Sequence, residues 1–221
     1  MVIMSKFMTA RERVSGKMLG DYAEGDIVLL NESGSPVEFY VAKHDYESGL
    51  NGAGRTLLVR KGGYDKRSWN STAVNAYATS DIDAWLNVGY KDLLDSNVQK
   101  AIATTKFYYT PGNGTNSVST LERSAFLLSL AELAASTNYA NAEGSALPIA
   151  NTLKTVYYNG SVVYQLTRTP RTYGNGSAFG VNGAAVLYFG YNSKDNTCSR
   201  PCFSLPVDAL FDPTTNAFLK G

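Results

Sequence analysis

Apolar positions gather in short runs separated by turn residues. Ile27-Val-Leu-Leu30 and Val37-Glu-Phe-Tyr-Val-Ala42 flank a Gly-Ser-Pro turn at 34–36 and predict a β-hairpin. Leu57-Leu-Val-Arg60 predicts a third strand, preceded by a flexible glycine-rich stretch at 48–54. The period then becomes helical. Ser80 is placed to cap a helix, Asp83 occupies the capping-box position, and Ile82, Trp85 and Leu86 share one face, so Trp85 is expected to pack inward. A second helix is predicted over 96–103, with Val98 and Ile102 four apart, and a strand over 106–110, ended by Pro111-Gly-Asn-Gly-Thr. Residues 119–136 fit two readings: one long helix, or a strand at 125–128 followed by a short helix capped by Ser129 with Glu132 completing a capping box. From Thr152 the pattern is β. Thr155-Val-Tyr-Tyr158 and Val162-Val-Tyr-Gln-Leu166 flank the hairpin signal Asn159-Gly160, and strands are predicted over 184–190 and 200–205. No repeat of solenoid or propeller period is present.

The composition sharpens this picture. Charged residues are 18% and hydrophobic residues 44%, so neutral polar groups must cover much of the surface. The 20 Gly and 15 Tyr, against 7 Pro, suit a loop-rich domain containing β-strands. A net charge of +1 gives no electrostatic footprint for nucleic acid or an anionic membrane, and no run of 18 apolar residues exists to span a bilayer. All four Met lie in the first 18 residues, with Lys6, Arg11, Arg13 and Lys17 against Glu12. That segment lacks the apolar centre of a secretory signal. Residues 1–21 are read as an arm for attachment or assembly, and 22–221 as a single domain. Met side chains suit adaptable docking of such an arm on a partner or neighbouring subunit.

Catalytic chemistry finds little support. His44 is the only histidine, so a zinc site lacks ligands, and no metal or cofactor is expected. Cys198 and Cys202 would lie about 13 Å apart in an extended chain, beyond the roughly 4.4–6.8 Å of a disulfide. They are read as unlinked thiols, with Cys202 in the core. Asp81 and Asp83 point to different sides of a helix start, where acids suit the helix dipole rather than glycoside cleavage. The chain is read as a non-enzyme.

Recognition fits better. Six tyrosines lie between 157 and 192. Along the strand at 184–191, Val186 and Tyr188 face one way and Leu187, Phe189 and Tyr191 the other, so one set is expected to be core. The candidate ligand-binding residues are Tyr173, Asn175, Ser177, Asn182, Tyr191, Asn192 and Asp195. They combine stacking faces with hydrogen-bonding groups, on backbone that Gly174, Gly176, Gly180 and Gly183 allow to turn. Arg168 and Arg200 either clamp an anionic ligand or pair with backbone carbonyls and buried acids to lock the C-terminal half; the second reading is preferred.

Taken in order, Gly25-Asp-Ile-Val, Val37-Glu-Phe-Tyr-Val, Leu58-Val-Arg-Lys, Trp69-Asn-Ser-Thr-Ala-Val-Asn-Ala-Tyr77, Ile82-Asp-Ala-Trp-Leu-Asn87, residues 102–111, Phe126-Leu-Leu-Ser129, Leu166-Thr-Arg-Thr-Pro170, Val181-Asn-Gly183 and Arg200-Pro-Cys-Phe-Ser-Leu205 form a pattern. Over roughly residues 25–206 this pattern resembles a recurrent domain of unknown function found in phage virion proteins and in surface proteins of Gram-positive bacteria. Its end is similar to C-type-lectin-like folds, including those of formylglycine-generating enzymes and of phage receptor-binding proteins diversified by retroelements. The chain departs from the pattern at Leu166-Thr167, where the family often has a Trp or Leu pair, which weakens any aromatic platform on that strand. The formylglycine-generating branch uses a cysteine pair, but nothing beside Cys198 and Cys202 supplies a copper or oxygen site.

The resemblance implies an α+β fold: a mixed, loop-rich C-type-lectin-like domain with short helices and antiparallel strands, preceded by the arm. It favours the strand reading at 125–128. It implies a bacteriophage virion protein, a tail or head appendage, that binds a host surface glycan or protein. Other virion proteins would be its partners through the arm, and homo-oligomers are expected. The alternative is a purely architectural capsid-decoration or tail-assembly protein without a receptor.

Overall fold

The computed structural model describes residues 16–173, 176–190 and 197–221. Strands β1 (Lys17–Met18), β2 (Ile27–Glu32) and β3 (Ser35–Lys43) open the domain. The β2–β3 hairpin turns at Ser33-Gly34, both with positive φ, the backbone of a tight two-residue turn. The turn therefore falls earlier than 34–36, and Pro36 enters β3 opposite Asn31. Residues 48–51, within the stretch read as flexible, form a single helical turn, α1 (Ser48–Asn51). Asn51 donates to Lys106 O and accepts from Lys106 N, standing in for a strand residue beside the later strand there.

β4 (Arg55–Arg60) joins β3, and β12 (Cys202–Pro206), from the far end of the chain, joins β4 to give the antiparallel order β12-β4-β3-β2. Thr56, Leu57, Leu58 and Val59 are all buried, as a strand covered on both faces requires.

The helices are short: α2 (Asp81–Trp85), α3 (Ser96–Ala101) and α4 (Ala150–Leu153). Ser80 Oγ caps α2 by accepting from Asp83 N at 3.2 Å, and a π-helical turn continues it over Leu86–Tyr90. Trp85 corrects one expectation, since it is only half-buried. It packs on Tyr64 and Tyr90, with the Arg67 guanidinium 3.8 Å over its ring on the solvent side. Trp69 is the fully buried tryptophan, its indole N–H donating to Thr167 O at 3.1 Å.

β5 (Thr105–Tyr109) pairs with β6 (Ser119–Arg123). Residues 125–128 are extended and buried, and Phe126 and Cys202 exchange both backbone hydrogen bonds, so the strand-like alternative holds and the long helix does not. Ser129 and Glu132 form a reciprocal capping box: Ser129 Oγ accepts from Glu132 N at 3.1 Å and the Glu132 carboxylate accepts from Ser129 N at 2.8 Å. Only one turn follows, because Ala134 takes a positive φ.

A second sheet has the order β10-β9-β8-β11, with β7 beside β8. Its strands are β7 (Val156–Tyr158), β8 (Ser161–Pro170), β9 (Ser177–Asn182), β10 (Ala185–Gly190) and β11 (Thr197–Cys198). Among the described strands of this sheet, β11 alone pairs in parallel. Between Leu166 and Pro170 the β8–β9 register slips, and Arg168 N bonds to Leu128 O instead. β10 overturns the expectation that one of its side-chain sets is core. Val186 and Phe189 are half-buried, Leu187 and Tyr188 exposed, because β10 lies at the edge of the sheet.

β13 (Leu210–Phe211) and β14 (Phe218–Lys220) complete a small sheet with β1. Residues 17–21, the end of the segment read as an arm, are therefore built into the domain, with Leu19 fully buried and bonded to Ala209. Residues 1–15 lie outside the described residues. The result is a mixed α+β architecture of short helices and mostly antiparallel sheets. Among the described residues no helix is long and apolar enough to cross a membrane.

Candidate recognition surface

The surface rests on a buried polar frame. Arg168, on the irregular end of β8, is completely buried and forks onto Glu132 through bonds of 2.7 and 2.9 Å. It also donates to Tyr108 O and Leu127 O. Burial alone would lower the pKa of this guanidinium, but the Glu132 carboxylate outweighs that and holds it above its ordinary value. Tyr46 donates its hydroxyl to Glu132, and burial raises its pKa. Glu143, also fully buried, accepts from Thr110 N and Thr169 Oγ1, both at 2.7 Å, and burial raises its pKa too.

Arg200 has no acid. It donates to the carbonyls of Arg60, Lys61 and Leu153 and to Gln165 Oε1, tying β4 to α4 and β8, and burial lowers its pKa to about 10. Both arginines are spent on internal partners and sealed from solvent, so neither is placed to clamp a ligand.

Beyond Pro170 the chain surfaces at Arg171. Asn75, itself buried, donates to Arg171 O at 2.9 Å and Ser177 O at 3.1 Å and accepts from Asn113 N at 2.8 Å. Gly112 lets the 112–115 turn approach: it has a φ of +76°, and a Cβ there would overlap the Asn75 carbonyl. Thr172 N donates to Tyr139 O at 2.8 Å, and Thr172 O accepts from Asn116 at 3.0 Å. Three loop segments, around 113–116, 137–141 and 171–173, are thus fastened by backbone and amide bonds.

Aromatic rings stand on this base. Tyr139 and Tyr173 meet edge to face at 5.8 Å and are 46% and 67% exposed. The Arg171 guanidinium lies 4.4 Å from the ring centre of Tyr188, itself 55% exposed, and 5.3 Å from that of Tyr139. A recess of about 320 Å³ lined by Leu130, Ala131, Ala134, Ala135, Ala140 and Asn141 borders the turn that carries Tyr139.

The candidate residues read from the sequence are dispersed by this geometry. Tyr173 belongs to the surface. Ser177 and Asn182 begin and end β9, five residues apart, or about 17 Å along a strand, and are not brought together. The segment 177–182 is strand rather than loop. Gly180 serves close packing there, since a Cβ would press Phe189 and Gln165 O; among the described glycines of this group, Gly183 takes a turn conformation. Asn175, Tyr191, Asn192 and Asp195 lie outside the described residues. The sequence reading missed Tyr139, Arg171 and the clamps Asn75 and Asn116.

The titratable groups weighed for catalysis have internal partners. His44 bonds Thr56 Oγ1 and Tyr22 O through its two ring nitrogens, both at 2.8 Å. Asp81 accepts from Ser71 N, and Asp83 pairs with Arg123 at 2.7 Å. Burial pushes the Asp83 pKa up to about 6 against the pull of Arg123. Cys198 and Cys202 are free and buried, and burial pushes Cys198 up to about 12 and Cys202 well above its ordinary value. Among the described residues no group of three or more His, Cys, Asp or Glu is arranged to hold a metal ion.

No curated protein and no solved structure matches the chain. A family model described as Domain of unknown function (DUF6273) matches residues 53–207, which include the buried arginine frame and all four side chains of the exposed cluster. The chain belongs to this family of domains of unknown function.

Proposed function

We propose that this chain is a non-enzymatic bacteriophage virion protein, a tail or head appendage, whose C-type-lectin-like domain binds carbohydrate on the host surface. The observation that carries the binding reading is the exposed cluster of Tyr139, Tyr173 and Tyr188 around Arg171 on a rigidly fastened base. Tyrosine faces pack on the C–H surfaces of sugars while their hydroxyls and the nearby amides meet sugar hydroxyls. The loops that carry the cluster are fixed before any ligand arrives, so little entropy is lost on binding. The virion part of the reading rests on the sequence resemblance, with the segment before β1 as the attachment to other virion proteins. Display of many copies, as homo-oligomers, would convert a weak single site into firm attachment.

The test is the double substitution Tyr139→Ala with Tyr173→Ala in protein whose thermal melt is unchanged. Binding to isolated bacterial cell walls is expected to fall at least about tenfold, given roughly 1 kcal/mol or more per aromatic contact. Wall binding at the wild-type level overturns the reading. One observation favours the architectural alternative, a capsid-decoration or tail-assembly protein: among the described residues nothing pairs with the outer edge of β10, where Leu187 is 48% exposed, and such an edge is a ready template for another chain.

A further inference from the structure

We propose that Arg171 is the anion-reading residue of this surface and that it selects glycans bearing a carboxylate or a phosphate; the inference rests on the recognition reading above. The other described arginines are all engaged. Arg60, Arg67, Arg123 and Arg168 pair with Glu32, Asp65, Asp83 and Glu132. Arg55 donates to Thr104 O, and Arg200 is spent on carbonyls and Gln165. Among the described residues, no acceptor takes a hydrogen bond from the Arg171 guanidinium and no carboxylate pairs with it, and its Nε is buried without a partner. Its two Nη groups, which no described acceptor engages, are thus left for an arriving anion, while the buried Nε is a cost already carried by the free protein.

The same guanidinium is held in place. Its backbone is fixed on both sides, by Arg171 N to Ser177 O and by Asn75 to Arg171 O. Its Cζ lies 4.4 Å from the ring centre of Tyr188 and 5.3 Å from that of Tyr139, contacts that restrict its rotamers. A planar fork held in this way matches the two oxygens of a carboxylate or phosphate. A recess of about 320 Å³, lined largely by alanine methyls, borders the turn that carries Tyr139 and offers apolar room beside that part of the surface. With a net charge of only +1, the protein has no general attraction for polyanions, so acidic-glycan selectivity must come from a local site such as this one.

The experiment measures the affinity of the full chain for three immobilised probes: polygalacturonate for the carboxylate, poly(glycerol phosphate) for the phosphate, and dextran as a neutral control. Wild type is expected to bind at least one acidic probe more tightly than dextran, and the preferred one identifies the anion. Raising the salt concentration should weaken that binding. Arg171→Gln should weaken it about 10- to 100-fold, the loss of a charge-assisted fork. Arg171→Lys should fall between the two, because it keeps the charge and loses the fork. The proposal is overturned if wild type binds neither acidic probe better than dextran, or if R171Q binds both as wild type does. If Tyr139→Ala with Tyr173→Ala abolishes binding while R171Q does not, only the anion inference falls. If neither variant changes binding, the recognition reading falls with it.

Discussion

Glu132→Gln tests the frame beneath the surface. The substitution keeps the side-chain volume but only one acceptor oxygen, so Ser129 N and the Tyr46 hydroxyl, which bond different carboxylate oxygens, cannot both keep their acceptor, and it removes the charge facing Arg168. Both partners are fully buried, so no water can compensate the guanidinium. Removing one member of a buried, hydrogen-bonded pair costs about 3–5 kcal/mol. Domains of this kind are stable by about 5–15 kcal/mol in total. The variant should therefore stay folded but marginal, with a melting temperature lower by about 6–20 °C. Urea unfolding gives the free energy directly.

The double variant Glu132→Leu with Arg168→Met removes both charges. It still orphans Ser129 N, the Tyr46 hydroxyl, Leu127 O and Tyr108 O, so it remains destabilised. Its loss should nevertheless be smaller, by at least about 2 kcal/mol, than the sum of the losses from the two single substitutions to the same residues. An E132Q loss under about 1 kcal/mol, or a cycle that is simply additive, refutes the claim that this pair organises the C-terminal half.

Trp69→Ala should cost about 3–5 kcal/mol in urea unfolding and Trp85→Ala only about 1–2 kcal/mol; the reverse order contradicts the burial described for the two rings. Asp83 should titrate near pH 6 by carboxyl ¹³C NMR. Because its folded pKa lies above the unfolded value, its contribution to stability is complete below about pH 4 and is lost as pH rises through about 6, by at most about 3 kcal/mol. Asp83→Asn should erase that trend, and a midpoint at or below 4 refutes it. Cys198 and Cys202 should resist a thiol reagent at pH 8 in the native state and both react in urea, since with a pKa of about 12 only about one Cys198 in ten thousand is ionised at that pH; fast native labelling would contradict their burial.

The local signals that were legible in the chain are those whose partners lie close in sequence. Ser80 with Asp83 and Ser129 with Glu132 span three residues, and the hairpins turn on short polar pairs such as Asn159-Gly160. Tertiary placement was not legible. The alternation at 184–190 is a strand pattern, but only the sheet order shows that β10 is an edge with neither face sealed. Trp69 sits in an irregular segment without periodicity, so nothing local marks it as more buried than Trp85. Tyr139 and Arg171 lie 32 residues apart and meet because Thr172 N bonds Tyr139 O and Asn75 grips the Arg171 carbonyl. Polar amides that bridge distant backbone leave no pattern in composition or period. The strand 177–182 was obscured by Gly180, whose role is close packing against Phe189 rather than turning.

The central claim is that the tyrosine cluster around Arg171 is where this protein meets a glycan. Titrating ¹⁵N-labelled protein with polygalacturonate, poly(glycerol phosphate) and dextran fragments and mapping the amide shifts tests it most directly. The account predicts saturable shifts for at least one acidic fragment, centred on Tyr139, Arg171, Thr172, Tyr173 and Tyr188, with the buried amides of Leu58 and Val59 in β4 unmoved. Shifts centred elsewhere, for instance on the Arg67 and Trp85 face, or no saturable shifts with any fragment, would contradict it.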